Sequence, residues 1–223
     1  MNRQIIRTKP NFTYENASGG RYIAGVDEVG RGAIAGPVVA AAVILDQRYG
    51  WGELNDSKKL TAEKRKRLAR YVSQYALAIG TGVVSSTAVD LHGIVKATDL
   101  AMQFAVEKLY IRPNHILVDG TRYPFTTAGQ NIIHGDSLSY SIAAASIIAK
   151  VTRDGLMVDF AGLYPGYGFE KHKGYATKEH LAALCQLGFS PIHRRSFRTD
   201  RTVKGDECPL TFKQSYDILP LIN

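Results

Sequence analysis

The sequence predicts an α/β sandwich built on one mixed sheet. Short β-branched and apolar runs alternate with longer stretches of helical apolar spacing, and the first two runs follow each other through a glycine-punctuated turn, as strands of a hairpin do. A long alanine-rich stretch near residue 150 supplies a helix able to pack closely on such a sheet. No internal repeat or low-complexity tract competes with this reading.

The elements follow in order. Residues 1–20 are polar, lack periodicity and end in Ser18-Gly19-Gly20, so they read as a loose lead-in. Residues 22–26 form a buried strand, and residues 38–45 its hairpin partner. After a loop with Gly50, Gly52 and Asn55, residues 61–75 open with Thr-x-Glu and carry Leu68, Val72 and Tyr75 on one side of a helix. Residues 77–84 alternate as a third strand. Residues 87–110 space Leu91, Val95, Leu100, Ala101, Phe104 and Leu109 at helical intervals until Pro113 stops the helix. Ile116-Leu117-Val118 is a short strand that delivers Asp119 and Gly120 at its end. A further strand over 131–134 ends at Gly135-Asp136, residues 139–162 form the long helix, and the rest reads as helical pieces and loops.

A chain of 223 residues suits one large domain, or one domain with an appended piece. A fold of this size buries roughly 70% of its extended-chain surface, so its core needs no staple. Cys185 and Cys208 lack paired CxxC spacing and read as reduced thiols rather than zinc ligands, with a lone surface disulfide as the alternative. The N-terminal residues have no apolar signal core, and the longest apolar run, 33–45, is short and interrupted by Gly36 and Pro37. Secretion and membrane spanning are thereby disfavoured, and the expected location is the cytoplasm.

The chain carries 28 basic and 20 acidic residues, a formal net charge of +8. A domain this basic suits a polyanionic partner. The charge is clustered: Lys58, Lys59, Lys64, Arg65, Lys66, Arg67 and Arg70 face one acid, Glu63, and a second zone holds Lys171, His172, Lys173, Lys178, His193, Arg194, Arg195 and Arg198. One such run reads equally well as a solvated helix face, but two in one basic chain favour contact with phosphates.

Chemistry on phosphates with hard divalent cations needs clustered oxygen ligands, and acids at strand ends are the natural source. Asp27 and Glu28 follow the first strand, Asp119 ends a later one, and Asp136 ends another before a helix. If those strands are neighbours, the four acids converge. Strand alternation opposes this for one of them, because adjacent residues point to opposite faces. Gly30 and Gly32 could permit a bulge that redirects Glu28. Asp99, Asp154 and Asp159 lie inside helices and read as solvated or salt-bridged.

The residues also resemble a known family. Gly25-Val26-Asp27-Glu28-Val29-Gly30-Arg31-Gly32, with Ala35-Gly36-Pro37-Val38-Val39 after it, resembles the opening signature of ribonuclease HII, a type 2 ribonuclease H. Further matches recur in the family's order: Asn55-Asp56-Ser57-Lys58-Lys59-Leu60, Val118-Asp119-Gly120, Gly135-Asp136, the run 143–154, His172-Lys173-Gly174-Tyr175-Ala176-Thr177, and His193-Arg194-Arg195-Ser196-Phe197. The resemblance spans about residues 21–198. It implies a ribonuclease H-like fold, a mixed five-stranded sheet flanked by helices with a helical C-terminal portion. The implied organisation is a lead-in over 1–20, a catalytic domain over 21–198 and a tail over 199–223.

The resemblance further implies an endonuclease that hydrolyses the phosphodiester 5′ to a ribonucleotide, in RNA/DNA hybrids and in duplex DNA with embedded ribonucleotides. It would leave 3′-hydroxyl and 5′-phosphate ends and serve ribonucleotide removal. Asp27, Glu28, Asp119 and Asp136 match the family's acids and would hold two ions, Mg²⁺ or Mn²⁺: Asp27 bridging both, Asp136 completing the water-bearing site, Glu28 and Asp119 the leaving-group site. By the same resemblance Gly30, Arg31 and Gly32 approach the ribose through the main chain, and Tyr175 bonds the 2′-hydroxyl, the group that distinguishes RNA from DNA. Without it Tyr175 would read as an ordinary half-buried tyrosine.

Ser57 and Lys58 match positions near the substrate backbone, while Lys59 reads as support for the loop. Lys150 and Arg153 read as structural, pairing with acids such as Asp154, and His172 and His193 as structural too. A monomer is expected, with contact to a replication clamp or polymerase as an added partner; the apolar residues 216–222 could instead dock on the domain. The absence of a long platform domain before Gly25, together with Lys-Gly-Tyr, argues against type 3 ribonuclease H. The rivals are a ribonuclease H-like DNA nuclease of resolvase or integrase type, and a catalytically silent hybrid-binding module.

Overall fold

The computed structural model describes residues 9–197. Its sheet has five strands: β1 (Ile23–Val29), β2 (Val38–Leu45), β3 (Ala76–Val84), β4 (His115–Asp119) and β5 (Gly129–Ile132), in the order β3-β2-β1-β4-β5. β1, β2 and β3 pair antiparallel, while β4 joins β1 and β5 joins β4 in parallel. The mixed sheet expected from the sequence is thus present, with the hairpin at its centre.

Alternation along the strands sorts side chains into two cores. Ala24 and Val26 of β1, Ile116 and Val118 of β4, and Val38, Ala40, Ala42 and Ile44 of β2 face the helix α3 (Ser86–Glu107). On the other face, Ala41, Val43 and Leu45 meet α2 (Ala62–Tyr75) and α4 (Tyr140–Leu163), while Ile23 and Leu117 meet Ile142 of α4. Thr61 and Ser139 cap α2 and α4, each accepting a backbone N–H three residues on, at 3.2 Å. At Gly25 the start of α4 lies directly on β1: a Cβ there would sit 2.1 Å from the Ser141 carbonyl carbon. That contact brings the N-terminus of α4 level with the acidic end of β1.

Three expectations are corrected. The segment ahead of β1 is not loose over its described part: residues 13–17 form a short helix, α1 (Thr13–Ala17), and Asn11 bridges to Ser139. Glu15, 3% exposed, accepts from the Ser139 hydroxyl at 2.6 Å and the Ser141 N–H at 2.9 Å. An acidic residue suits the positive end of α4. Polar composition suggested a solvated segment because it does not distinguish a cap from a tail.

The apolar face expected on 87–110 is the second correction. α3 buries Val89, Ala97, Ala101, Met102 and Ala105, and leaves Leu91 75% exposed, with Val95 and Phe104 also exposed. Gly93, at φ 77°, ψ 158°, interrupts the helix, so one helical phase cannot run through both halves. The third is Cys185, on the helix Lys178–Leu187, which is disulfide-bonded rather than the reduced thiol expected; missing CxxC spacing argues against a zinc site and does not bear on a disulfide. Cys208, residues 1–8, Arg198 and the tail 199–223 lie outside the described residues.

Glu15→Ala removes an acceptor from two buried donors and is expected to cost about 2 kcal/mol of stability. Chemical denaturation read by circular dichroism measures this, and a change under about 0.5 kcal/mol, the level of an ordinary surface substitution, would show that the cap is idle.

Candidate metal centre and recognition loops

β1 continues through Asp27 and Glu28 in unbroken register with β2, Asp27 opposite Ala41 and Glu28 opposite Ala40. The bulge expected after Asp27 is absent, so alternation holds and the two acids leave the strand on opposite faces. Asp27 shares the α4 face with Asp119, one step beyond the paired Val26 and Val118 on adjacent parallel strands. Asp136 reaches the same place from a 3-10 turn, Gly135–Ser137, just ahead of α4. His134 enters that turn in the left-handed region at φ 57°.

The result is a tight acidic group: carboxylate oxygens of Asp27, Asp119 and Asp136 lie within 4.8 Å of one another. Main-chain donors orient two of them, the Glu28 N–H to Asp27 Oδ1 and the Gly135 N–H to Asp119 Oδ1, each at 2.7 Å. Glu28 stands apart from the three. Its carboxylate accepts from Arg31 Nη1 at 3.1 Å, but it still feels the charge of Asp119.

Burial and crowding make Asp27, Glu28 and Asp136 reluctant to ionise. Asp27 is pushed well above the carboxylate range, first by burial and then by the charges of Asp119, Glu28 and Asp136. Burial also raises Glu28 against the pull of Arg31. Asp136 is raised to about 6 by burial, then by Asp119 and by Asp56. Crowded, desolvated oxygen donors of this kind fit a hard divalent cation, whose charge would relieve the repulsion.

Asp56 was not among the acids picked from the sequence. Its charge helps raise Asp136, and it accepts the Lys58 N–H at 2.9 Å in the Asp56-Ser57-Lys58 turn. The hint was its place directly before Ser-Lys. Lys58 is exposed; partial burial disfavours its charge, yet Asp136, Asp27, Asp56 and Asp119 together raise its affinity for a proton. Lys59 ties this loop to the Asp136 turn by donating to Ser137 Oγ at 2.9 Å, in line with its expected supporting role. Ser57 is buried, and its hydroxyl accepts from Ser146 at 2.7 Å, so it faces inward rather than toward a substrate.

Beside the acids, Gly30, Arg31 and Gly32 start a loop whose Ile34 and Ala35 N–H groups both donate to the Gly174 carbonyl, at 2.9 and 3.2 Å. Tyr175, half-buried, therefore lies next to that loop. Its own carbonyl ends a histidine relay. The Ser190 N–H donates to His193 Nδ1, which places the ring proton on Nε2, facing His180 Nε2 at 3.0 Å; His180 then donates from Nδ1 to the Tyr175 carbonyl at 2.9 Å. Burial holds His180 and His193 down at about 4, so both are neutral at physiological pH. His172 likewise accepts the Gly174 N–H and donates to the Tyr167 carbonyl. His172 and His193 thus act as the structural histidines expected, and His180, not singled out in the sequence, joins them.

The second basic zone is divided by the fold: Lys171, Lys178 and Arg195 are exposed, but His193 and Arg194 are buried. Lys150 pairs with Asp154 at 2.8 Å and Asp99 with Arg122 at 2.8 Å, as expected for helix acids. Among the described residues, no helix is long and apolar enough to cross a membrane.

The family model described as ribonuclease HII matches residues 24–200. The chain belongs to the ribonuclease HII family. A ribonuclease HII of Acholeplasma laidlawii is 51% identical over 196 residues, covering 85% of this chain and 95% of the relative. One of Syntrophus aciditrophicus is 53% identical over 82% of this chain and 87% of its own length. The crystal structure of the ribonuclease H2 from Pyrococcus horikoshii superposes with a TM-score of 0.64 at 26% identity, covering 81% of this chain and 95% of that one. The ribonuclease H-like fold is thereby established, and with it the activity of a ribonuclease HII, an endonuclease acting at ribonucleotides in hybrid duplexes.

Two titrations with opposite signs act on this fold. Asp136, raised in the folded state, contributes stability that is full below its ordinary 3.8 and lost as pH rises through about 6. His180 and His193, lowered, contribute stability that is full above their ordinary 6.5 and lost as pH falls through about 4. Metal-free Asp136→Asn should therefore be more stable than the wild type at pH 7, by about 1 to 2 kcal/mol after allowing for solvent screening. Its melting temperature should fall more steeply than the wild type's between pH 6.5 and 4. Calorimetry with chelator checks both, and a destabilised variant at pH 7 would contradict the crowding argument.

Proposed function

We propose that Asp27, Glu28, Asp119 and Asp136 hold two divalent ions, Mg²⁺ or Mn²⁺, and that the loop from Gly30 to Gly32 together with Tyr175 selects the ribonucleotide. The observation that carries this reading is the convergence of buried, mutually repelling carboxylates beside a glycine loop within a ribonuclease HII fold. Bound there, the ions supply Lewis-acid activation of water and stabilisation of the departing 3′ oxygen. The protein's part is to place the ligands: β1 and β4 present Asp27 and Asp119 side by side, and the turn before α4 presents Asp136. Glu28 joins from the other face of β1, within reach of Asp119's charge, once it releases Arg31.

Lys58, exposed and held charged beside the acids, supplies a cation for the substrate phosphate. The inward-facing Ser57 supports that loop instead. A main chain free of side chains at Gly30 and Gly32 approaches the ribose, and Tyr175 donates to its 2′-hydroxyl. Cleavage falls 5′ to the ribonucleotide and leaves 3′-hydroxyl and 5′-phosphate ends, which suits the removal of misincorporated ribonucleotides during replication and repair in the cytoplasm. Contact with a replication clamp or a polymerase belongs to the same proposal, and residues 216–222, which could carry it, lie outside the described residues.

A duplex with one embedded ribonucleotide, incubated with Mg²⁺, is expected to be nicked once, 5′ to that nucleotide; an intact strand at high enzyme concentration would defeat the reading. Asp27→Asn should lose cutting by at least about 10³-fold while still binding the duplex, since it removes a ligand rather than a phosphate contact. Tyr175→Phe should lose most of the preference for an RNA-to-DNA junction, and unchanged selectivity would remove Tyr175 from recognition. Cutting of all-DNA junctions without regard to ribose would favour the resolvase-type alternative.

A further inference from the structure

Two buried cations lie under the recognition loops, and the catalytic scheme uses neither. Arg153 of α4 and Arg194 are both 0% exposed, and among the described residues neither has a carboxylate within ion-pair distance. Backbone carbonyls take their place. Arg153 donates from Nε to Pro37 at 2.9 Å, from Nη2 to Ala35 at 3.1 Å and from Nη1 to Lys173 at 2.9 Å. Arg194 donates from Nε and Nη2 to Gly36, at 3.0 and 2.8 Å, and from Nη1 to Arg31 at 3.0 Å. Every acceptor lies in the loop that begins at Gly30 or in the one that carries Tyr175.

Burying a guanidinium without a counter-charge is costly, and burying two close together adds repulsion. Burial lowers both against the more distant pull of Asp154 on Arg153 and of Asp90 on Arg194, and the neighbouring Arg153 helps bring Arg194 down to about 10, still protonated at neutral pH. An apolar residue would pack here at less cost but could not hold several carbonyls at fixed angles; the planar fork of arginine can.

The packing leaves no slack. A Cβ at Gly30, whose φ is +92°, would come 2.2 Å from Arg153 Nε, and one at Gly174 would come 2.3 Å from the Ala35 carbonyl oxygen. The Arg153 guanidinium lies 5.5 Å from the Tyr175 ring centre. The Arg194 N–H closes the assembly by donating to Ile34 at 2.8 Å.

We propose that Arg153 and Arg194 are positioning residues for ribonucleotide selection, fixing the distance between the main chain at Gly30–Gly32 and the Tyr175 side chain by binding the carbonyls of both loops. The inference rests on the reading that these two loops recognise the ribose. A guanidinium shared between the loops transmits any displacement of one to the other, so a loosened fork widens the gap that a 2′-hydroxyl must bridge. Arg153 acts on both sides of that gap, and Arg194 on the Arg31-to-Gly36 side.

The test uses the full-length enzyme with Mn²⁺ and compares Arg153→Lys and Arg194→Lys, each alone and combined with Tyr175→Phe. Lysine keeps the charge and loses the fork. Each single variant should reduce the preference for a single-ribonucleotide junction over all other sites by about tenfold or more, mainly through KM. Mn²⁺ affinity, read by calorimetry, should stay unchanged. Adding Tyr175→Phe should cost little more preference, because the arginines act by setting the gap between the Gly30–Gly32 main chain and that residue, and a misplaced Tyr175 has no hydrogen bond left to lose.

Folded lysine variants that keep the wild-type preference would overturn the inference, as would a preference that falls additively with Tyr175→Phe. If Tyr175→Phe alone leaves selectivity intact, the ribose reading itself fails; if it destroys selectivity while both lysine variants retain it, only the present inference fails. Should a lysine variant not fold, hydrogen exchange on the wild type decides. The Ile34 and Ala35 amides must then exchange as slowly as those of β2, and exchange at open-loop rates would overturn the proposal.

Discussion

The repulsion among three carboxylates governs this molecule. Asp27 and Asp119 project from neighbouring strands onto one face, and Asp136 is carried in from the turn before α4 until their oxygens stand within 4.8 Å. No protein chain would gather them for stability, since burial and like charge both penalise ionisation. The rest of the fold supplies what the gathering requires: main-chain N–H groups aimed at Asp27 and Asp119, an alanine-lined α4 seated on Gly25, and Glu15 anchoring the start of that helix. The strain is concentrated where a doubly charged ion would convert it into affinity.

The architecture separates two tasks across one short stretch of chain. Up to Glu28 the backbone is a strand and presents charge; from Gly30 it is a loop and presents bare main chain. The strand is fixed by its neighbours in the sheet. The loop is held instead by guanidinium groups on its carbonyls and by the Gly174 and Ile192 carbonyls, which accept the N–H groups of Ile34, Ala35 and Gly36, so that Arg31 and Gly32 alone stay exposed. Arg31 spans the boundary, with its side chain on Glu28 and its carbonyl on Arg194.

Much of this was legible in the sequence, and the reasons differ by element. The central hairpin, α2 and α4 were readable because period and caps agree: Thr61 and Ser139 stand where the apolar spacing begins. The acids at 27, 119 and 136 were readable because a carboxylate at a strand end has few structural uses. α3 was misread because Gly93 resets the helical phase, and no count of spacings reveals a break in φ. Glu15 and Arg194 were missed for a shared reason: their roles depend on contacts with residues more than 120 positions away, to which neither local composition nor spacing is sensitive. Asp56 was quoted within a motif yet went unnoticed as an acid, since its relation to Asp136 exists only after the turn at Lys59 has docked.

The plain alternation of β1 has a consequence for how such a gene can change over time. The placement of Asp27 depends on parity, the odd or even number of residues separating it from Gly25 and the paired core positions. Replacing Ala24 or Val26 by another small apolar residue leaves that count intact, whereas losing a single codon between them would send the Asp27 carboxylate into the α3 side and put the longer Glu28 side chain in its place. Drift by substitution is therefore open to this segment, and drift in length is closed.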